Sequence, residues 1–199
     1  MSCARKLCCA AALLLGGCAA EQPRVHEYLD PQTAVTIRTL AAPLMFAHEA
    51  PELAANARDY LSLGVVEVDN MGARRHYLAL VSWSTINRAH LGAASAPVPE
   101  RIELTLGGQP RELAPVSHEP RSLGIGGTPF RPASGYVGEA WYAVTPAELQ
   151  ALAAAPSGPI VLLADGVRVT YGWWRGDEAA LREFVRDIPG NAGTGPVRR

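Results

Sequence analysis

Residues 101–106, Arg-Ile-Glu-Leu-Thr-Leu, alternate polar and apolar side chains without a fault. A period of two is the mark of a strand with one buried face. Gly107-Gly108 then supplies a two-residue hairpin turn into a second run at Arg111–Val116, because glycine enters the positive-φ region such turns require. The pattern recurs twice. Ile160–Ala164 and Val167–Trp174 flank Asp165-Gly166, and Tyr60–Val68 and Arg75–Ile86 flank Asp69-Asn70-Met71-Gly72. The Arg75–Ile86 run is apolar at successive positions, through Tyr77, Leu78, Ala79, Leu80, Val81 and Trp83, which predicts a central strand buried on both faces. Thr33–Leu40, Leu44–Ala47 and Tyr136–Val144 bring the expectation to about nine short strands.

Two helices interrupt them. Thr145-Pro146-Ala147-Glu148 is a capping box with proline at the first helical position, and Leu149 and Leu152 give a short apolar stripe before Pro156. The second helix is predicted from about Asp177 to Asp187, with Ala180, Leu181, Phe184, Val185 and Ile188 at helical spacing and Asp177 and Glu178 at the positive end of the dipole. Many short strands with few helices define the fold class: mainly β, a single-domain β-sandwich or partly open barrel of about nine strands with two short helices.

All four cysteines fall at positions 3, 8, 9 and 18, so the chain from residue 19 onward has no thiol for a disulfide or a metal. Its stability must come from an apolar core. The formal net charge is −1 and the apolar fraction 48%, which excludes a basic nucleic-acid module and a disordered chain.

Arg5 and Lys6 precede a nine-residue apolar run, Leu7–Leu15, and then Gly16, Gly17 and Cys18. This is the order of a secretory signal, and the run is well short of the roughly 20 residues needed to cross a bilayer. Leu15-Gly16-Gly17-Cys18 resembles the lipobox of bacterial lipoproteins. That resemblance covers about twenty residues and is silent on the fold of the rest. It implies cleavage between Gly17 and Cys18, diacylglycerol on the Cys18 sulfur, and two or three acyl chains, enough for stable anchoring where one chain is marginal. It further implies a lipid-anchored, periplasm-facing protein of the cell envelope, with Ala19 favouring the outer membrane over the inner. Removing 17 of 199 residues leaves 182, with 16 arginines, no lysine, 19 acidic residues and a formal net charge of −3. The expected organisation is a signal peptide over 1–17, a lipidated cysteine and tether over 18–32, a β-rich globular domain over 33–189 and a flexible tail over 190–199.

No linear arrangement in this chain assembles a catalytic site, a metal site or a cofactor site. His26-Glu27, His48-Glu49 and His118-Glu119 place adjacent side chains on opposite faces of any strand, a poor geometry for one ion. Ser117 beside His118 lacks a nucleophile elbow, and a serine hydrolase would need His, a carboxylate and Ser brought together from separate strands. Gly124-Ile125-Gly126-Gly127 is followed by Thr128-Pro129 rather than by a helix whose N-terminus could hold phosphate. Arg175-Gly176-Asp177 reads as a glycine turn and an acidic helix start.

The aromatic residues are the more promising. Tyr136, Trp141 and Tyr142 share one strand and Tyr171, Trp173, Trp174 and Arg175 another. Alternation puts Tyr171 and Trp173 on one face and Trp174 on the other. Trp141, Tyr171, Trp173, Trp174 and Arg175 are therefore the candidate ligand surface, set against the common use of Trp and Tyr in cores. Two roles follow. One is a non-catalytic structural or protein-interaction role in the envelope; the other is a periplasmic module that binds a small molecule or glycan. In both, the partners are the membrane, through acyl chains on Cys18, and an envelope protein or glycan, and not nucleic acid.

Overall fold

A computed structural model of the protein describes residues 23–87, 99–131, 138–164 and 166–188; Gly17, Cys18, Tyr136 and the 190–199 tail lie outside them. The fold is mainly β, one domain with ten strands in a curled half-barrel and two helices. The strands are β1 (Val25–Leu29), β2 (Thr36–Leu40), β3 (Leu44–Glu49), β4 (Arg58–Asn70), β5 (Ala73–Ser84), β6 (Arg101–Leu106), β7 (Gln109–Leu113), β8 (Gly138–Val144), β9 (Ile160–Ala164) and β10 (Val167–Arg175). The helices are α1 (Pro146–Ala154) and α2 (Glu178–Arg186).

The thirteen-residue β4 organises the sheet. One of its edges pairs with β5 from Asp59–Ser84 to Asn70–Ala73, and β5 pairs in turn with β8. Its other edge is divided between two strands: β2 pairs from Thr36–Asp69 to Thr39–Val66, and β3 from Leu44–Leu63 to Glu49–Arg58. Between Thr39 and Leu44 the β2–β3 side carries two residues more than β4 does opposite. This insertion, around Ala41-Ala42-Pro43, splits the sheet. Beyond it, β1 extends from β2, while β10 extends from β3 and leads through β9 and β6 to β7. β10 pairs with β9 through its first half and with β3 through its second, carrying the sheet round a corner.

Alternation sorts the side chains. Leu61, Leu63 and Val65 of β4, Leu78 and Leu80 of β5 and Tyr142 of β8 face a core that also holds Leu149 and Leu152 of α1 and Leu181 and Phe184 of α2. The helices fill the hollow of the half-barrel. On the reverse face, Val66, Tyr77 and Trp141 lie beneath Leu123, Ile125 and Phe130 of the segment after β7. Phe130 sits directly over Gly64, where a Cβ would overlap its ring.

Local signals hold where they are local. Thr145 Oγ1 accepts from Glu148 N at 3.2 Å and Glu148 Oε2 accepts from Thr145 N at 2.9 Å, completing the capping box. Asp177 N-caps α2, accepting from Ala180 N at 3.0 Å. Gly107 and Gly108 have φ of 60° and 80°, and Met71-Gly72 turns with φ of 53° and 91°. Two expectations are corrected, and one element is added. Val25–Leu29, expected within the 18–32 tether, forms β1 against β2 and brings the strands to ten. β7 begins at Gln109 rather than Arg111, since the tight turn lets Leu106 pair with Gln109 at once. Pro120–Leu123 forms a 3₁₀ turn that no apolar periodicity marks.

Candidate functional site

The exposed aromatic cluster lies on the reverse face, beside the split in the sheet. Tyr60 and Trp83 are cross-strand partners on β4 and β5, and their rings stack with centroids 4.5 Å apart. Trp83 Nε1 donates to Ser62 Oγ at 3.0 Å, fixing the indole. Trp174 meets Tyr60 edge-on at 6.0 Å and is the large aromatic of this group left open, at 46% exposure. The Arg58 guanidinium lies 4.8 Å from the Trp174 ring and pairs with Glu49 at 3.2 Å.

A β-bulge brings Arg175 to this face. The register runs Trp173–Phe46 and then Arg175–Met45, leaving Trp174 as the extra residue. Simple alternation would send Arg175 to the core side; the inserted residue returns it to the outer side beside Met45. Its Nε donates to Met45 Sδ at 3.0 Å. Next to the aromatic group, Met45, Ser62, Trp83, Pro43, Arg131 and Arg175 line an open cleft of about 640 Å³, within the size range of small-ligand sites. Its polar side-chain groups are a hydroxyl, two guanidinia and the Asp177 carboxylate, on walls of ring, thioether and pyrrolidine. Asp177, also part of the lining, is engaged as the α2 N-cap and by Arg24 at 3.7 Å.

Of the five residues expected on a ligand surface, Trp174 and Arg175 are exposed on this face, and the other three are packing residues. Tyr171 is 1% exposed and joins the core. Trp173, on the same side, is half-buried edge-on to Phe46 at 5.4 Å. Trp141 is wholly buried and donates from Nε1 to Glu139 Oε1 at 2.7 Å. Tyr60, Ser62, Trp83, Met45 and Arg131 complete the site and carry no linear signal, since they converge only through pairing and the fold of the 120s segment.

A second polar group closes one end of the hollow. Glu67, His76 and Arg38 continue the inward rows of β4, β5 and β2 and are buried. His76 Nε2 donates to Glu67 Oε2 at 2.9 Å, and Arg74 approaches Glu67 at 3.4 Å and Asp69 at 3.1 Å. The His76 hydrogen bond is the largest influence on Glu67, and with the charges of His76, Arg74 and Arg38 it outweighs burial and holds the carboxyl below its usual range. Arg38 donates to Phe184 O at 2.9 Å and lies over the Phe184 ring at 4.4 Å, so the group also ties α2 to the sheet.

The remaining sequence candidates have local partners. Ser117 Oγ bonds to Glu119 O at 2.8 Å and to Ser122, whereas His118 Nδ1 lies against Glu139 O at 2.9 Å. His48 Nδ1 meets Thr170 O at 3.1 Å. Gly126 N donates to Asp30, which binds the 120s segment to the loop after β1. Among the described residues no three His, Cys, Asp or Glu side chains converge as metal ligands, and no helix is long and apolar enough to cross a membrane. No protein-family model, curated protein or solved structure matches the chain.

Proposed function

We propose that this protein is a lipid-anchored module of the cell envelope, held by Cys18, that binds a saccharide on the outer face of its half-barrel without catalysing a reaction. The observation that carries the reading is the open Trp174 ring beside the Tyr60–Trp83 stack, at the rim of a cleft that is apolar with a few polar groups. Sugar rings present apolar faces that stack on such aromatics and hydroxyls that bond to polar side chains such as the Arg58 guanidinium beside Trp174. The hollow of the half-barrel is filled by α1 and α2, which leaves the outer cleft as the roomier site.

Co-sedimentation of the mature protein with purified peptidoglycan tests it. Trp174→Ala is expected to lower the bound fraction severalfold with an unchanged unfolding midpoint; equal binding by wild type and variant contradicts the reading. Cys18→Ala is expected to release the protein from the membrane fraction, and unchanged membrane association contradicts the anchor. A second reading, docking of a protein partner, is favoured by one observation: β1 ends the sheet with Tyr28 and Leu29 exposed, an edge suited to strand addition.

A further inference from the structure

The arginines of this protein are mostly neutralised in pairs. Nine of the thirteen described arginines lie within 4.0 Å of a carboxylate oxygen. Arg75, Arg121, Arg131 and Arg175 are the four that do not, and two of them, Arg131 and Arg175, line the same cleft. This convergence runs against a chain whose formal net charge is negative. Arg175 is also held in place without being neutralised: its Nε donates to the thioether of Met45, a weak and uncharged acceptor. Asp177, the carboxylate that lines the same cleft, already accepts from Ala180 N and pairs with Arg24.

We infer that the ligand of this cleft is an acidic saccharide, its ring against Trp83 and its negative group toward Arg131 and Arg175. The inference rests on the saccharide-binding reading above and adds the charge. Two guanidinia without carboxylate partners, one of them held by Met45, form charge-assisted bonds to an anion that are about twice as strong as neutral ones, while the Trp83 indole supplies a stacking surface. The cleft then selects acidic over neutral sugars by charge and saccharides over free anions by stacking. Because the contacts are open to water, the charge contribution weakens as salt rises.

The test is isothermal titration of the full mature protein with three probes: an oligogalacturonate, the same oligosaccharide after reduction of its carboxyl groups, and a phosphorylated monosaccharide. The oligogalacturonate is expected to bind about tenfold or more tightly than its reduced form. Arg175→Gln and Arg131→Gln are each expected to lower its affinity severalfold and flatten its salt dependence, with the reduced form unaffected. Binding of the phosphorylated sugar as well identifies the shared requirement as negative charge, and its failure assigns the preference to carboxylate. Equal affinity for the acidic and reduced oligosaccharides overturns the inference while leaving the saccharide-binding reading standing. Failure of the wild type to bind any of the three overturns both. The comparison between the acidic probe and its reduced form uses the unaltered protein, so it holds even if a variant is unstable.

Discussion

Replacing Gly64 with alanine probes the point where the sheet, its outer cover and the cleft meet. Gly64 lies on β4 opposite the two-residue insertion that splits the sheet. The Phe130 ring occupies the space of its missing side chain: a Cβ would overlap the ring, with Cδ1 at 2.9 Å. Phe130 also packs against both outer-face clusters, so it cannot withdraw without uncovering them. Overpacking of this kind costs about 1–3 kcal/mol. For a domain of this size roughly 2 kcal/mol lowers Tm by about 4–8 °C. The same substitution in a Phe130→Ala background no longer meets the ring, and there alanine is expected to gain roughly 0.5–1 kcal/mol over glycine through lower backbone entropy in the unfolded chain. The cycle of four proteins, followed by urea denaturation, should therefore show a change of sign and a coupling of roughly 2–3 kcal/mol. Equal effects of Gly64→Ala in both backgrounds would refute the packing argument.

Other perturbations have equally definite outcomes. Thr145→Ala removes the α1 capping box and is expected to cost about 1 kcal/mol by urea denaturation, with Thr145→Ser recovering most of it. Tyr142→Phe should leave stability unchanged or raise it by about 1 kcal/mol, because the Tyr142 hydroxyl is buried without a hydrogen-bond partner and such a group is costly to desolvate; a loss above that size contradicts the assignment. Asp30 is pushed up by burial, but bonds from Gln32, Gly126 and Thr33 outweigh this and hold it below its ordinary value of 3.8. Its stabilisation is thus present above that ordinary value and lost as pH falls through the lowered one. Glu67 behaves alike for its own reasons. Asp30→Asn is expected to flatten the acid limb of a plot of unfolding midpoint against pH, and an unaltered limb contradicts the assignment.

What the sequence made legible, and what it hid, divides by distance along the chain. β6 and β9 coincide with their predicted spans, α1 starts at its predicted cap and α2 lies within one residue of its predicted bounds, since alternation, turn glycines and capping boxes act within a few residues. β1 escaped because four of its five residues are exposed, so no burial pattern marks it; it is held by backbone pairing to β2. The site was half legible. Alternation placed Trp174 opposite Tyr171 and Trp173, as found, but not the bulge that turns Arg175 outward, since the extra residue is defined by the register of β3. Tyr60 and Trp83 stand 23 positions apart and meet as a cross-strand pair. Glu67, His76 and Arg38 come from three strands, and none of the three is unusual in its own segment.

The central claim, that the outer cleft is the working surface, is tested most directly by NMR of the isotope-labelled protein titrated with soluble oligogalacturonate. Perturbations are expected at the Trp83 and Trp174 indole signals and the Met45 methyl, which line or border the cleft, with the buried Trp141 indole as an unmoved control. Shifts confined to β1, or to the Glu67–His76 group at the end of the hollow, would contradict it.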